Sequence, residues 1–320
     1  MAGVWLSYMK SQLCFTPPYP TQSFTGQTII VTGSNTGMGL EAARHFARLG
    51  AARLILAVRS QAKGDAAKKS IEETTSCGPG VVQVWLVDQA SYASVAAFGE
   101  RVNKELDRLD VVVGNAGILP YDTSRAEEDE ATITVNVVNS LHHGILMLPK
   151  LRETAVRLGK PGVLTFTGSW MHGLCHANPH LAAPFFHIHR YPLSKVVQML
   201  AIRALAEAVT ASKKPGEVTV SVLNPGGVRT DITRDATGFD RFVVVSSWYM
   251  LWTAEVGGRT LVHAAASSGK EAHGQYLSNC AVAAPNKYVT STNGIAAQRR
   301  IWKDLVAKLE RLNPAVANAI

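Results

Sequence analysis

Residues 28–43, with the sequence TIIVTGSNTGMGLEAA, carry the pattern that decides the fold. A short β-branched apolar run leads into a glycine-rich turn, and the turn leads into a segment with helical spacing. Glycine lets the backbone approach a pyrophosphate closely, and the first N–H groups of a helix attract that anion. The stretch therefore predicts a strand, a phosphate-binding loop and a helix, in preference to an ordinary glycine-rich turn. The expected loop residues are Gly33, Ser34, Asn35, Gly37, Met38 and Gly39.

The same alternation of short apolar runs and helical segments continues along the chain. Further runs occupy residues 53–58, 81–87, 109–114, 162–167 and 217–223, and helical spacing recurs at 39–49, 92–106 and 194–209. Strands that alternate with helices pair in parallel, and right-handed crossovers place the helices on both faces. We therefore predict a single-domain, doubly wound α/β fold of the Rossmann type. It is formed by residues 25–320 and follows a leader at residues 1–24.

Composition limits the class of protein and its environment. The chain has 320 residues, of which 47% are hydrophobic and 18% charged, so its core needs neither disulfides nor a structural metal. The four cysteines include no CxxC pair, which favours a reducing, cytoplasmic environment. No run reaches the roughly 20 apolar residues of a membrane span. The leader predicts a short helix that either folds back onto the domain or rests on a membrane surface.

The formal net charge of +8 is concentrated between Ser140 and Arg229, where ten Lys and Arg residues face three acidic ones. These positive residues are spaced singly along most of the segment, whereas nucleic-acid binding favours clusters or aromatic residues interleaved with basic ones. The pattern argues against a nucleic-acid partner. An anionic ligand or a peripheral contact with an anionic membrane surface stays open.

The residue after the second predicted strand indicates which nicotinamide cofactor is bound. Ligands of such a sheet bind beyond the carboxyl ends of the strands. A carboxylate at this place selects NAD, whereas an arginine accommodates the 2′-phosphate of NADP, and this chain has Arg59. Ser34, Asn35 and Ser60 could add hydrogen bonds to that phosphate. We therefore predict NADP(H), with a solvated strand-end arginine as the alternative.

Two further strand ends complete the expected nucleotide site. Asp88 follows the third apolar run, where a carboxylate can accept a hydrogen bond from the adenine amino group. Asn115, Ala116 and Gly117 follow the fourth, where small residues let a ribose lie against the backbone.

A reactive set of side chains surrounds the fifth strand. Tyr191 and Lys195 are four residues apart on a predicted helix, so they share one face. A phenol titrates near pH ~10, and an adjacent ammonium stabilises the phenolate and lowers that pKa, so the pair is a candidate acid and base. Ser169 follows the fifth strand, where a substrate carbonyl would lie. Asn136 is an amide among apolar neighbours, so it needs a hydrogen-bond partner.

Together, these motifs resemble the short-chain dehydrogenase/reductase family over residues 25–276. The resemblance implies that Tyr191 is the general acid or base and that Lys195 binds the nicotinamide ribose and lowers the Tyr191 pKa. It implies that Ser169 hydrogen-bonds the substrate carbonyl, and that Asn136 holds a helix distortion and a water in a proton relay.

The resemblance extends beyond the sixth strand, to residues 224–230. It implies that this segment meets the cofactor through Pro225, Gly226, Val228 and Thr230, the last two at the nicotinamide carboxamide. Arg59 and residues 253–266 resemble the retinol-dehydrogenase-like branch, whose fungal members often reduce ketones or oxidise alcohols in secondary metabolism. A homodimer through the helices after the fourth and fifth strands is also implied.

One segment departs from the family's pattern. Ser169 and Tyr191 are 22 residues apart, more than the family's common spacing, which predicts an inserted substrate loop at residues 170–190. Its histidines at positions 172, 176 and 180 recur every four residues, as metal ligands on a helix do. A glycine and a proline interrupt that spacing, so we predict no metal site.

The predicted function is an NADPH-dependent oxidoreductase, a ketoreductase or alcohol dehydrogenase acting on a bulky apolar molecule. Residues 242–252 form an aromatic stretch, and its Trp248, Tyr249, Met250 and Trp252 suit such a substrate, with plain core packing as the alternative. A non-redox isomerase, dehydratase or cyclase in which NADP(H) only shapes the pocket is the second hypothesis. The complete set of reactive side chains argues against a mere nucleotide sensor.

Overall fold

A mostly parallel, eight-stranded sheet forms the centre of the computed structural model, which describes residues 2–121, 124–174, 190–236 and 248–320, with side chains from Leu6 onward. The strands are β1 Thr28–Thr32, β2 Arg53–Val58, β3 Val82–Leu86, β4 Val111–Gly114, β5 Arg125–Ala126, β6 Asp129–Glu130, β7 Gly162–Thr167, β8 Val218–Asn224, β9 Tyr276–Ser278 and β10 Ala281–Ala283. The order in the sheet is β10-β9-β8-β7-β4-β1-β2-β3, and β5 pairs with β6 alone. The predicted doubly wound α/β fold is confirmed.

The six strands expected from the sequence are β1, β2, β3, β4, β7 and β8. β9 and β10 are not predicted by the sequence pattern, and they have only three residues each. β9 continues the parallel series beside β8, and β10 turns back antiparallel to β9.

Helices follow most of the parallel strands and cover both faces of the sheet. They are α1 Ala2–Cys14, α2 Gly37–Arg48, α3 Gln61–Thr75, α4 Tyr92–Glu105, α5 Ala131–Ile133, α6 Asn139–Leu158, α7 Arg190–Ala211, α8 Ala254–Ala266, α9 Lys287–Thr290, α10 Thr292–Leu312 and α11 Ala315–Ala319. Among the helices of the described ranges, none combines the length and apolar character that crossing a bilayer requires.

Two apolar clusters, one on each face, hold the sheet between its helices. The central strands β1, β4, β7 and β8 are buried along their whole length, as parallel strands covered on both sides must be. One cluster joins the sheet to α4, α6, α7 and α10, and the other joins it to α2 and α8.

Strand order reverses at β1, which has β2 on one side and β4 on the other. In open sheets of this kind, the ligand crevice lies outside the carboxyl ends of the strands at such a reversal. The loops after β1, β2, β4, β7 and β8 all lie at this edge, and they carry most of the site residues expected from the sequence.

The N-terminal leader forms α1, which is folded back onto the domain. The Gln12 side-chain amide donates to Gly227 O (2.8 Å) and accepts from Gly227 N–H (2.9 Å). Ser11 Oγ donates to Asn279 Oδ1 (2.5 Å). Leu6 and Leu13 stay exposed on the outer side of the helix. The leader thus packs on the domain in this structure, and a contact of the leader with a membrane surface stays a prediction.

The C-terminal helices cover α6 and α7, the helices for which the resemblance implies a dimer face. α10 lies against α7, and α11 lies against α6. Leu305, Leu309 and Val316 are buried in the same apolar cluster as those two helices, and Gln298 Nε2 donates to Glu207 Oε1 (2.8 Å). The chain therefore supplies its own cover for these faces, and the homodimer stays a prediction.

Most positive side chains between Ser140 and Arg229 have partners within the protein. Two of them pair with carboxylates, and the others donate to backbone carbonyls or glutamine side chains. These residues are Lys150, Arg152, Arg157, Arg190, Lys195, Arg203, Lys214 and Arg229. Much of the local excess of positive charge is therefore engaged in the fold itself.

Candidate active site

The glycine-rich loop after β1 lies directly against the residues that follow β4. Gly33 has a φ of +64°, and a Cβ on it would lie 3.0 Å from Ala116 Cα. A Cβ on Gly39 would lie 2.5 Å from Gly33 O and 2.6 Å from Asn115 Nδ2. There is therefore no room for a side chain at either position, and the loop backbone is the surface that a ligand would meet.

The helix that begins at this loop, α2, lacks the side-chain cap that its neighbours have. Ser60 Oγ accepts from Lys63 N–H at the start of α3, and Ser91 Oγ accepts from Ser94 N–H at the start of α4. Thr36, the corresponding residue of α2, makes no such bond, and its hydroxyl donates to Asp231 Oδ2 (3.1 Å). The first N–H groups of α2 are thus left without a side-chain cap, as an anion-binding helix terminus requires.

Asn115 fixes the end of β4 to the glycine-rich loop. Its Nδ2 donates to Thr32 O (3.0 Å) and to Gly33 O (3.3 Å). In return, Thr32 Oγ1 accepts from the N–H groups of Asn115 and Ala116, both at 2.9 Å. These bonds keep the shape of the loop independent of any ligand. The Asn115 side chain is thus a support of the nucleotide site.

Ser34 corrects one expectation of the sequence analysis. Its side chain is fully buried, and its hydroxyl donates to Val31 O (2.8 Å). The hydroxyl is therefore used to close the turn after β1 and does not face a 2′-phosphate. Asn35 is half-buried in the same turn. Ser60 is half-buried too, but its hydroxyl serves as the cap of α3.

Arg59 and Asp88 lie at the carboxyl ends of β2 and β3, as expected. Arg59 is exposed and has neither a hydrogen-bond nor an ion-pair partner in the part of the chain that the structure describes. Gly33 N–H donates to Ala57 O (2.9 Å), so β2 contacts the glycine-rich loop at Ala57. Arg59 lies two residues further along the chain. Asp88 is half-buried, and its Oδ1 accepts from Ala90 N–H (2.9 Å).

Tyr191 and Lys195 lie on the first turns of α7, beside the end of β7. Lys195 is buried, and its Nζ donates to Thr167 O (2.9 Å) and to Gln198 Oε1 (3.0 Å). Its Nζ lies 5.5 Å from the centroid of the Tyr191 ring. A Cβ on Gly117 would lie 3.9 Å from Lys195 Nζ and 3.2 Å from Asn136 Oδ1, so the ends of β4 and β7 meet at this amine.

The pKa values of this pair differ from the sequence expectation. The expected effect of Lys195 is to lower the pKa of Tyr191, but burial raises the Tyr191 pKa to about 12, against a smaller lowering by a hydrogen bond with Ser169. Burial also lowers the pKa of Lys195 to about 7. The reason is that a buried site disfavours both charged forms, and a lysine that is partly neutral stabilises the phenolate less. The expected lowering of the Tyr191 pKa is thus corrected.

Ser169 is buried at the end of β7 and begins a short 3₁₀ helix, Trp170–Leu174. Ser169 O lies 2.6 Å from His172 Nδ1, and Asn286 N–H donates to His172 Nε2 (3.1 Å). An acceptor at Nε2 and a donor at Nδ1 define a neutral imidazole, consistent with a pKa that burial lowers. His172 therefore holds the start of the predicted substrate loop in place.

Asn136 lies in a π-helical turn, Thr134–Val138, between α5 and α6, and this agrees with the helix distortion that the resemblance implies. Its side chain is fully buried. Oδ1 accepts from Ile118 N–H (2.9 Å), while Nδ2 donates to Ile118 O (3.0 Å) and to Ser194 Oγ (3.2 Å). Such single π turns are frequent at functional sites. Asn136 thereby joins the loop after β4 to the helix that carries Tyr191.

The segment after β8 closes the site on the other side. Gly37, whose φ is +59°, would place a Cβ 3.3 Å from Thr230 Cγ2, so the phosphate loop and this segment touch. Val228 forms an isolated parallel bridge with Trp252. Pro225 is buried and Gly226 is half-buried. These residues and Met38 all lie at the same edge of the sheet as Tyr191.

Several residues that support the site are absent from the sequence prediction. Asn224 Oδ1 accepts from the N–H groups of Trp170 and Gly226 (3.0 and 3.1 Å), so it joins the loops after β7 and β8. Ser194 Oγ accepts from Asn136 and donates to Tyr191 O (2.8 Å). Asn224 and Thr32 each end a strand, and a polar residue at a strand end was the sequence signal that could have identified them. Ser194 carries no such signal apart from its place between Tyr191 and Lys195.

Two expected features lie partly outside the described residues. Of the predicted substrate loop, residues 175–189 are outside them, as are residues 242–247 of the aromatic stretch. In the described ranges, no group of three or more His, Cys, Asp or Glu side chains is arranged to hold a metal ion. Trp248, Tyr249 and Met250 are exposed, so plain core packing does not account for these three side chains.

Comparison with known proteins gives three kinds of match. The family model described as short chain dehydrogenase matches residues 27–239. The short chain dehydrogenase/reductase dmxR8 of Cryptosporiopsis sp. is 41% identical, over 98% of this chain and 99% of that protein. The short-chain dehydrogenase anuD of Penicillium roqueforti is 36% identical, over 97% of this chain and 84% of that protein.

Solved structures match at the level of the fold. A short-chain type dehydrogenase/reductase from Mycobacterium marinum matches with a TM-score of 0.63 and 20% identity, over 80% of this chain and 94% of that one. A short chain dehydrogenase from Burkholderia cenocepacia in complex with NADP matches with a TM-score of 0.61 and 21% identity, over 80% of this chain and 97% of that one.

Proposed function

This chain belongs to the short-chain dehydrogenase/reductase family, a family of oxidoreductases that bind NAD(P), and from that premise we propose that it is an NADPH-dependent ketoreductase. The observation that carries the proposal is the meeting of Ser169, Tyr191 and Lys195 at the sheet edge that also holds the uncapped start of α2. The substrate is a ketone on a bulky, mostly apolar molecule, and the product is the secondary alcohol.

The nucleotide site fits a dinucleotide phosphate. The uncapped N–H groups of α2 and the glycine backbone at Gly33 and Gly39 suit the pyrophosphate. Arg59 is an exposed guanidinium without a partner in the described ranges, and it is suited to a 2′-phosphate. Bound NADPH would supply the hydride that reduces the carbonyl carbon.

Tyr191 is the proton donor in this proposal. Because burial raises its pKa to about 12, the phenol stays protonated at neutral pH and can donate to a carbonyl oxygen. The resulting phenolate is reprotonated from solvent, so one hydride and one proton convert the ketone into an alcohol. The protonated phenol is the form of Tyr191 that ketone reduction requires.

The other residues of the set orient the reaction. The Ser169 hydroxyl, which lies against the Tyr191 phenol, donates a hydrogen bond to the substrate carbonyl and polarises it. Lys195 binds the ribose of the nicotinamide through its buried amine. Asn136 acts as a positioning residue, since its amide fixes Ile118 and Ser194 on either side of the site.

The substrate class rests on the apolar side chains near the site. Trp248, Tyr249 and Met250 are exposed on a 3₁₀ turn just before Trp252, which pairs with Val228. Contiguous exposed aromatic groups are typical of a surface that receives an apolar ligand. This agrees with the retinol-dehydrogenase-like branch and with a role in secondary metabolism, both of which we include in the proposal.

The proposal is tested by following NADPH absorbance and product together for a panel of bulky ketones. We expect NADPH to be consumed in equal amount to the alcohol formed, with NADH a poorer reductant. Product that forms without any change in nicotinamide absorbance would instead identify a non-redox isomerase, dehydratase or cyclase.

A further inference from the structure

The N-terminal helix α1 contacts the loops after β7 and β8, which lie at the ligand edge of the sheet. The two hydrogen bonds between Gln12 and Gly227 hold it there, and Gln12 is buried at this contact. One turn earlier on the same face, Tyr8 stacks on Trp170 with ring centroids 4.1 Å apart and an interplanar angle of 21°. Trp170 directly follows Ser169 in the sequence.

Tyr8 also reaches the loop after β8. A Cβ on Gly227 would lie 2.1 Å from the Tyr8 hydroxyl and 2.8 Å from Leu251 Cδ2, so the phenol is in contact with the Gly227 backbone. Burial raises the pKa of Tyr8, which keeps the ring neutral. Tyr8 thus bridges a residue after β7 and a residue after β8.

The partner of this stack is itself held firmly. Trp170 N–H donates to Asn224 Oδ1 (3.0 Å), and Gly226 N–H donates to the same oxygen (3.1 Å). Asn224 Nδ2 in turn donates to Ser278 Oγ (3.1 Å). The aromatic pair is therefore fixed relative to the strands that carry Ser169 and the cofactor segment, as a substrate-orienting surface must be.

We propose that the stacked pair Tyr8 and Trp170 is an aromatic wall of the substrate site and that Tyr8 selects planar aromatic ketones over small aliphatic ones. This inference rests on the proposed function. A stacked aromatic pair stabilises a planar ring placed against it more than it stabilises an alkyl chain of similar polarity. The leader is then part of the active site and determines specificity.

The test uses two vicinal dicarbonyls that differ in aromatic area, 9,10-phenanthrenequinone and 2,3-butanedione. Quinone binding is measured by calorimetry in the presence of saturating NADP⁺, so that no turnover occurs. The variants are Tyr8→Leu, which keeps apolar volume without a ring, and Tyr8→Phe, which keeps the ring. Leu6→Ala removes an exposed side chain from the same helix and is the matched control.

We expect Tyr8→Leu to weaken quinone binding by about tenfold, while Tyr8→Phe and Leu6→Ala stay within about twofold of wild type. With NADPH, the ratio of kcat/KM for the quinone to that for butanedione should fall by a similar factor in Tyr8→Leu alone. Thermal melting shows whether each variant is folded.

Equal quinone affinity in Tyr8→Leu and wild type would overturn the proposal, as would a wild-type protein that binds no quinone. If quinone binding follows the expected pattern and neither dicarbonyl oxidises NADPH, the aromatic wall stands and the proposed reductase function fails. The two ideas are therefore separated by one set of proteins.

Discussion

The edge of the sheet at the carboxyl ends of its strands has two halves whose surfaces differ in composition. On the nucleotide half, after β1, β2 and β4, the surface is backbone and short side chains, with Gly33, Gly39 and Asn115 in direct contact. The half after β7 and β8 is the one that we propose binds the substrate, and we call it the substrate half; it includes an aromatic pair, with Tyr8 stacked on Trp170. The first half has no space for a side chain at Gly33 or Gly39, whereas the second half is formed by large side chains. In our proposal, the first half binds the cofactor, and the second half carries the reactive side chains and selects the substrate.

The largest expected effect comes from the residue at which the two halves meet. Tyr191→Phe removes the proton donor but keeps the ring, so we expect kcat for ketone reduction to fall by about a thousandfold. NADPH affinity, measured by fluorescence titration, should change by less than about twofold, since the phenol donates to substrate rather than to the nucleotide. Retention of more than about a tenth of wild-type turnover would contradict the assignment of Tyr191 as the acid.

A methyl group on the glycine-rich loop tests the rigidity of the nucleotide half. In Gly39→Ala the new Cβ would meet Gly33 O at 2.5 Å and Asn115 Nδ2 at 2.6 Å, and both belong to the packed loop. We expect NADPH affinity to fall by about a hundredfold, because the loop must move away from its bound shape. Gly78→Ala is the control, since its Cβ would have no neighbour nearer than 3.9 Å. Equal NADPH affinity in the two variants would show that the loop accommodates the added methyl group without losing its binding shape.

The free energy of unfolding should depend on pH through His142, which is buried in α6. Burial lowers the pKa of His142 to about 4, whereas in the unfolded chain the value is about 6.5. The unfolded state therefore binds the proton first as the pH falls, so stability is full above pH ~6.5 and is lost between there and pH ~4. Between pH 7 and pH 5 this histidine alone accounts for about 2 kcal/mol of the free energy of unfolding.

The matched variant for this pH dependence is His142→Phe. Neither His142 ring nitrogen has a hydrogen-bond partner within the described ranges, so a phenyl ring costs no hydrogen bond there. We expect urea unfolding of the variant to show a shallower loss of stability between pH 7 and pH 5. An unchanged slope would mean that other groups govern the acid side, among them His143, whose pKa burial lowers to about 3.

The smallest effect concerns the single exposed guanidinium at the end of β2. Arg59→Ala should raise KM for NADPH by about tenfold and leave KM for NADH within about twofold, because only NADPH carries the 2′-phosphate. Lys69→Ala removes another exposed cation from the neighbouring helix α3 and should move neither value. A wild-type enzyme that prefers NADH would refute the cofactor assignment.

Sequence reasoning served the nucleotide half well for a local reason. Strand, glycine turn and helix follow one another within residues 28–43, so periodicity and glycine placement were sufficient. It failed where one side chain had two possible partners: Ser34 bonds Val31 O within its own turn and does not point outward. It also misjudged the pKa of Tyr191, because the degree of burial of a phenol cannot be read from its spacing to a lysine.

The substrate half depends on contacts between distant parts of the chain. Gln12 and Gly227 are 215 positions apart, and no pattern around either residue announces the other. Ser11 and Asn279 are further apart still. The leader was therefore predictable as a helix, but its contacts with the loops after β7 and β8 were not. β9 and β10 were not predictable either, because they are too short to show periodicity.

The cover that α10 and α11 place over α6 and α7 has a consequence for how the site behaves on dilution. α7 carries Tyr191 and Lys195 on its first turns, and further along it Arg203 Nε donates to Gln298 Oε1 of α10 (3.3 Å). The helix that holds the reactive pair is thus braced by its own chain. Separating one molecule from the next leaves this contact intact, because both of its residues belong to the same chain.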